Sequence, residues 1–260
     1  MAIACEMCHL VRLEMVKALR LYVRYPLEAL FGLAFLIAIY VAVAAGTNLA
    51  TGAGPAGFGT SSEGLVVGYL CWAIAVGATL SMGSELEEEA RSGVLEPIFL
   101  SGYSMVKVLV ARSLGALIAG LPAAIVLVAL LGIVSGKHQV LDLAIVPPLL
   151  LLELCGTGIG LMVASSALVF KRIRLLLVAV QVGVIFLIML PASADGEWLR
   201  VLPISTQVQA LRSTVHDGVP IGFGAMAIVV ANAAVYFLAG AALLHAASLR
   251  VRRRGQLAHH

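Results

Sequence analysis

Long uncharged, apolar stretches alternate with short charged segments along the chain. Five stretches carry no charged residue: Ala29–Ser62, Gly64–Ser84, Ser113–Gly136, Leu175–Ala194 and Gly218–Leu249. A sixth, Leu143–Phe170, is interrupted once, by Glu153. Each can hold the roughly 20 apolar residues with which an α-helix crosses a bilayer. The alternating pattern of barrel strands is absent, so the chain is predicted to be an all-α integral membrane protein with six transmembrane helices.

The composition agrees with this pattern. Of the 260 residues, 61% are hydrophobic and 12% are charged, whereas soluble globular domains carry about 25% charged residues. No internal repeat is visible at a fixed period. We therefore expect one transmembrane domain over residues 1–260, surrounded by membrane lipid and without a nucleic-acid partner.

The positions of Lys and Arg predict the orientation. Fourteen of the seventeen lie before the first span, between the second and third, between the fourth and fifth, or after the sixth. The other three are Lys137, Arg200 and Arg212, in the alternate connections. Short loops rich in Lys and Arg stay in the cytoplasm. Both termini are therefore predicted to be cytoplasmic, in a multi-pass protein of the plasma or inner membrane.

The first 26 residues show helical periodicity. Polar residues recur at Glu6, His9, Arg12, Lys17, Arg20 and Arg24, opposite the apolar residues Ile3, Met7, Leu10, Val11, Met15 and Tyr22. This arrangement predicts an amphipathic helix on the inner leaflet. Pro26 is expected to end that helix and to turn the chain into the first span.

The connection before the last span, residues 191–222, is longer and less polar than a simple loop. Trp198 precedes Pro203, and Val208 and Leu211 then recur at helical spacing. We expect two short helices at the outer interface, with Trp198 at the level of the lipid headgroups. A disordered loop is the alternative interpretation.

A dense acidic cluster lies on residues 85–106, which connect the second and third spans and which we call the coupling segment. Its carboxylates belong to Glu85, Glu87, Glu88, Glu89 and Glu96. Gly93 permits a sharp turn, and Pro97 suits the first position of a short helix. An apolar ridge follows from Val94, Leu95, Ile98 and Phe99. The segment is predicted to dock a soluble partner; a solvated acidic loop is the alternative.

Several kinds of chemistry have no counterpart in the sequence. The chain contains no Gly-x-x-x-x-Gly-Lys-[Ser/Thr] phosphate loop, so we do not expect it to hydrolyse ATP alone. The spans carry no candidate triad or carboxylate dyad for catalysis. Cys5, Cys8 and His9 resemble half a zinc site, but no second ligand pair exists. We expect neither an enzyme nor a bound metal or cofactor.

The coupling segment resembles the signature of the ABC transporter type-2 permease family, Glu-x-Glu followed by Gly-Thr-Leu-Glu-x-Leu. The corresponding residues here are Glu85-x-Glu87 and Gly93-Val94-Leu95-Glu96-Pro97-Ile98. Val94 replaces Thr, Ile98 replaces Leu, and Gly102 stands where a Pro is common. The resemblance extends to the outer connection.

In that connection, Leu202-Pro203-Ile204 and Gln209-Ala210-Leu211-Arg212 resemble the family's Asn-Pro and Ala-Leu-Arg elements. The resemblance implies the permease subunit of an exporter, in which two copies, expected to be a homodimer, form the path. Separate ABC ATPase subunits, which hold ATP and Mg²⁺, would dock on the coupling segment. The apolar spans favour a hydrophobic or amphipathic cargo such as a drug, a lipid-linked molecule or a peptide.

Other functions remain as alternatives. The haem-export-like permease of cytochrome c maturation is similar in the Leu-Glu turn and in Gly120-Leu121-Pro122, although the long outer connection argues against it. A channel or secondary carrier without a motor would not need an acidic docking segment, and carriers usually show inverted repeats. A structural or signalling membrane module would have no ATPase partner.

Glu153 is the one charged residue within the six apolar stretches. An ionised carboxylate there costs several kcal/mol unless it is paired or hydrated, so such residues are functional candidates. Glu153 is predicted to line the translocation path. The alternative is a protonated packing residue near Gly156, Gly158 and Gly160.

The uneven distribution of Lys and Arg generates a direct test of orientation. Single cysteines at Gly57 and Ala192, in a background without native thiols, should react with an impermeant maleimide added from outside, and one at Ser92 should not. The measurement is labelling of intact cells compared with labelling after lysis. Labelling of Ser92 from outside would overturn the predicted topology.

Overall fold

The structure, a computed structural model, describes residues 2–51, 62–92, 104–135, 143–170, 174–189, 201–217 and 221–254. These ranges contain eight α-helices, one short 3-10 helix at Leu143–Ile145 and no strand. The helices are α1 (Ala2–Arg24), α2 (Pro26–Thr51), α3 (Ser62–Ser92), α4 (Met105–Ser135), α5 (Val146–Val169), α6 (Arg174–Met189), α7 (Ser205–Asp217) and α8 (Phe223–Arg254).

Five of these helices are long and apolar enough to cross a membrane. Within the described ranges, the candidate spans are Pro26–Gly46, Gly64–Leu86, Val106–Ser135, Val146–Leu168 and Phe223–Val251. The prediction of an all-α, multi-pass membrane protein is therefore confirmed. The sixth predicted span corresponds to α6, which is apolar and has 16 residues in the described chain.

The N-terminal segment is helical as predicted, and Pro26 begins the next helix after a break at Tyr25. Proline suits that first position because its missing N–H would have no partner there in any case. The partly buried side chains on α1 include Met7, Leu10 and Met15, which recur on one face. That face packs on α4. The polar-rich stretch that begins at Thr47 would suit the first outer loop, but residues 47–51 still belong to α2.

α5 is the central helix, and glycines bring it unusually close to α3. A Cβ on Gly156 would lie 3.0 Å from the Cβ of Ala78, and one on Gly160 would lie 2.9 Å from the backbone oxygen of Thr79. The Thr79 hydroxyl donates to the Gly156 carbonyl at 3.2 Å. Small residues four apart allow two helix backbones to approach within the membrane, where dispersion contacts provide much of the attraction.

The opposite face of α5 packs on α8 at equally short range. A Cβ on Gly158 would lie 2.7 Å from the backbone nitrogen of Phe237, and one on Gly240 would collide with the Gly158 carbonyl. Neither position has room for a side chain. Gly156 and Gly160 thus allow α5 to pack closely on α3, and Gly158 allows it to pack closely on α8.

Two clusters of buried side chains mark the two ends of the bundle. The smaller cluster joins the end of α3, the start of α4 and the ends of α5 and α8, through Leu86, Leu109, Leu168 and Val251. We call this the charged end, because Arg112 lies beside it. The larger cluster, at the opposite end, joins the start of α3, the end of α4 and much of α7. Successive spans from α3 to α5 therefore run in alternating directions.

α2 is attached to the bundle at few points. Only 6% of its candidate span, Pro26–Gly46, is buried inside the bundle. Tyr40 of α2 packs edge-on against Tyr69 of α3 at 5.5 Å between ring centroids, and Tyr69 stacks at a tilt on Trp72. The Tyr69 hydroxyl donates to the Leu36 carbonyl. An aromatic cluster is thus the principal joint between α2 and the remaining helices.

The close approach of α5 and α8 predicts a large effect of one methyl group. Gly158→Ala should destabilise the protein by about 1–3 kcal/mol, because the backbone of α8 must move away from the new Cβ. Gly183→Ala on α6 is the control, since nothing lies within 4 Å of a Cβ there. Thermal unfolding in one detergent measures both. Equal unfolding temperatures for the two variants would contradict the packing described.

Candidate functional site

The acidic residues of the coupling segment begin on a helix. The candidate span of α3 ends at Leu86, but the helix continues to Ser92. Glu85 and Glu89 are four residues apart and therefore lie on the same face of α3. The first part of the coupling segment is thus a rigid extension of a membrane-spanning helix.

Arg112 of α4 lies opposite that face and is the centre of a buried charge network. Its Nη1 donates to Oε1 of Glu89 at 2.7 Å and lies 4.0 Å from Oε2 of Glu85. Its Nε lies 3.8 Å from Oε1 of Glu14 on α1. The Arg112 side chain is 10% exposed. We call these four residues the Arg112 cluster; it joins three helices at the charged end.

Two features bring α1 into the Arg112 cluster. Gly115 lies one turn beyond Arg112, and a Cβ there would be 3.0 Å from the backbone nitrogen of Met15. The absence of a side chain lets the α1 backbone rest on α4. Lys17 then lies 3.5 Å from the second carboxylate oxygen of Glu14. The predicted surface helix is therefore anchored to the bundle by both backbone contact and charge.

A cleft of ≈ 410 Å³ opens beside the Arg112 cluster. The charged side chains of α1, α3 and α4 line one part of it, and Ala18, Leu21 and Ala116 line another. Among the described side chains that line the cleft, four are carboxylates and two are cations, so this lining has an acidic excess. Glu88 is also in its lining and is exposed to solvent.

The predicted docking residues separate into three groups in the structure. Glu85 and Glu89 face Arg112, with 50% and 20% of their side chains exposed. Glu88 lines the same cleft, is exposed, and forms no described ion pair with Arg112. The side chain of Glu87, together with Gly93, Val94, Leu95, Glu96, Ile98 and Phe99, lies outside the described residues. The structure therefore places part of the acidic cluster in an internal contact.

The sequence does not predict that Arg112 and Glu14 belong to this site. Arg112 is one of the cations that indicate orientation, and Glu14 lies within a helix predicted to lie on the membrane surface. A usable signal was present. Arg112 directly precedes the uncharged stretch Ser113–Gly136, and a buried arginine needs a carboxylate partner.

A second polar cluster lies at the opposite end, between α7 and α8. The Gln207 amide donates to Oδ1 of Asn232 at 3.2 Å, and Thr206 donates to Oε1 of Gln207 at 3.1 Å. Asn232 in turn donates to the Leu202 carbonyl at 3.2 Å. Gln207 is fully buried. Asn232 of α8 thus forms hydrogen bonds to α7 through Gln207 and to the turn before α7 through Leu202.

Pro203 and Arg212 of the outer connection hold α7 in place. Pro203 belongs to a tight turn, in which its carbonyl accepts from Ser205 N at 2.7 Å and Ile204 has a φ of 68°. A positive φ strains a β-branched residue. Arg212 Nη2 donates to the Ile188 carbonyl of α6 at 2.7 Å. Burial lowers the pKa of the Arg212 guanidinium, which still remains charged near neutral pH. Trp198 lies outside the described residues.

Glu153, the predicted translocation-path residue, lies on α5 and faces α4. A Cβ on Gly120 would be 3.0 Å from its Oε1. The carboxylate is partly buried. The structure therefore places Glu153 between two helices and brings it to neither the Arg112 cluster nor the Gln207–Asn232 cluster.

Comparison with known proteins adds no further information. No family model, no curated protein and no solved structure matches this chain. The function must therefore be argued from the residues and their geometry.

The Arg112 cluster predicts a specific instability. Arg112→Met should destabilise the protein by about 3 kcal/mol, because Glu14 and Glu89 lose their buried counter-charge. Arg12→Met, at an exposed position of α1, is the matched control. Thermal unfolding in nanodiscs measures stability, and hydrogen exchange of α1 amides measures its detachment. The double variant Glu14→Gln/Arg112→Met should lose less than the sum of the single changes; strict additivity would argue against their coupling.

Proposed function

We propose that this chain is the membrane-spanning permease subunit of an ATP-driven ABC exporter. Two copies form a homodimeric path through the plasma or inner membrane, and separate ATPase subunits bind ATP and Mg²⁺. The proposal depends on the resemblance of Glu85–Ser104 to the type-2 permease signature. The cargo is hydrophobic or amphipathic, in keeping with the apolar spans.

One structural observation supports this proposal most strongly. α3 is continuous from its buried span to Ser92, directly before the Gly93-Val94-Leu95-Glu96 turn. An ATPase that pushes on this turn would move a helix, not a flexible loop. Because α3 packs along α5 through Gly156 and Gly160, the displacement would pass to the centre of the bundle. This rigid connection is what a motor-driven permease requires.

The remaining topology follows from the same proposal. The charged end lies in the cytoplasm, where the ATPase is located, and both termini share that side. α6 completes six spans, and α1 lies on the inner leaflet while packing on α4. α7 belongs to the outer connection. This arrangement places the coupling segment and the Arg112 cluster on the side where ATP is hydrolysed.

The Arg112 cluster narrows the choice of docking residues. Glu85 and Glu89 form ion pairs with Arg112. Their principal role is therefore to hold the end of α3 against α1 and α4. Glu88 is exposed and available to a basic rim on the ATPase. Charges at an interface rim influence association rate and orientation more than total affinity. The apolar ridge around Leu95 and Phe99 supplies the anchor.

The proposal predicts that this chain copurifies with an ATPase carrying a Walker motif. Leu95→Asp should abolish the complex, since loss of a buried interface anchor costs about 2 kcal/mol or more. Glu88→Lys should slow association and change its salt dependence. Association can be measured by surface-immobilised binding at several ionic strengths.

Glu28→Lys is the matched control for the charge change, because Glu28 is an exposed glutamate in the first turn of α2. It should leave ATPase association unchanged. A Leu95→Asp protein that still assembles and still supports cargo-stimulated ATP hydrolysis would refute the docking assignment. Absence of any ATPase partner would favour a carrier or channel.

A further inference from the structure

Glu153 occupies a position where a charge is costly. It lies seven residues into the candidate span Val146–Leu168, so it is about 10 Å from the span's first residue along the helix axis. The centre of the span is one helical turn further on. An ionised carboxylate at such a depth is unfavourable unless a counter-charge or water accompanies it.

The described residues supply no counter-charge to this carboxylate. Among the described residues, Glu153 forms no side-chain hydrogen bond and no ion pair. Thr157, one turn away on α5, directs its hydroxyl to the backbone carbonyls of Glu153 and Leu154. Arg112 pairs with Glu89, and Arg212 donates to the Ile188 carbonyl, so neither guanidinium contacts Glu153.

The α4 backbone leaves room for the carboxylate. Oε1 of Glu153 lies 3.0 Å from the position that a Cβ on Gly120 would occupy. Any larger residue at position 120 would crowd the carboxylate. Glycine therefore lets the carboxylate pack directly against the α4 backbone at this level.

Glu153 is only partly buried, so part of its carboxylate is accessible at the surface of the bundle where α4 and α5 meet. Its neighbours along α5, Leu152 and Leu154, are apolar. An unpaired carboxylate is thus accessible in an apolar surrounding.

We propose that Glu153 binds the cationic group of an amphipathic organic molecule at the surface of the bundle, where α4 and α5 meet. This assignment names the cargo class of the proposed exporter and so rests on the proposed function. A hard metal ion is a poorer fit, because such ions require about six oxygen ligands. The described residues also contain no group of three metal-ligating side chains. A lipophilic cation needs only one counter-charge and apolar contacts.

The test uses the full chain alone in phosphatidylcholine nanodiscs, with radiolabelled tetraphenylphosphonium as the probe. Wild-type protein should show saturable binding. Glu153→Gln should lower the affinity at least about tenfold, because the charged partner is lost from a desolvated pair. Glu153→Asp keeps the charge and should retain saturable binding, which separates charge loss from misfolding.

Two matched controls accompany these variants. Glu28→Gln removes an exposed glutamate and should leave binding unchanged. Gly120→Ala should weaken binding by crowding the carboxylate, whereas Gly183→Ala should not. Tetraphenylborate, an anion of the same shape, should show no saturable binding.

Three results would overturn the proposal: wild-type affinity in Glu153→Gln, equal saturable binding of tetraphenylborate, or saturable sodium binding without phosphonium binding. The assay contains no ATPase, so its result is independent of docking. Phosphonium binding without any ATPase partner would keep the Glu153 site and reject the exporter. An ATPase complex without phosphonium binding would keep the exporter and reject the Glu153 site.

Discussion

The fold depends on the close approach of α5 to two neighbouring helices at once. The missing side chains of Gly156 and Gly160 allow α3 to approach closely, and that of Gly158 allows α8 to do so. Inside a membrane the hydrophobic effect does not drive helices together, so dispersion contacts at short range must provide much of the cohesion. Side chains at these three positions would hold the backbones apart. The remaining helices are arranged around this three-helix centre.

The charged end adds a different kind of constraint. Arg112 is 8% exposed, and a buried guanidinium is tolerated only when carboxylates compensate for its lost hydration. Glu14, Glu85 and Glu89 do so from two other helices. The cluster therefore selects one mutual arrangement of α1, α3 and α4. It makes the end of α3 part of the bundle, although the apolar span has already finished.

Much of the fold could be predicted from the sequence, because lipid imposes a simple rule on residues that face it. Apolar runs of sufficient length had to be helices, and Pro26 had to begin one. The tertiary pairs could not be predicted. Arg112 is buried against Glu89 whereas Arg12 is exposed. The position of Arg112 beside an apolar stretch indicates burial, but its partners depend on which helices become neighbours. Gln207 escaped notice for the same reason.

The candidate site, too, could be predicted from the sequence only where local pattern decides it. The position of Glu153 within a span followed from its apolar neighbours, whereas its contact with Gly120 required the packing of α4 on α5. The strained turn at Ile204 also had no sequence signal, since a β-branched residue rarely adopts positive φ. Surrounding structure imposes that conformation.

The weak attachment of α2 has a consequence for biogenesis. α2 is synthesised before α3 and its span is apolar on every side, so it can partition into lipid as an independent helix. α3 follows it from the ribosome with most of its burial still lacking, because α5 is made roughly eighty residues later, several seconds at ordinary translation rates. During that interval α3 can pack against α2 through the contact of Tyr69 with Tyr40. The loosely held helix would then act as an early companion for the helix on which the finished bundle is built.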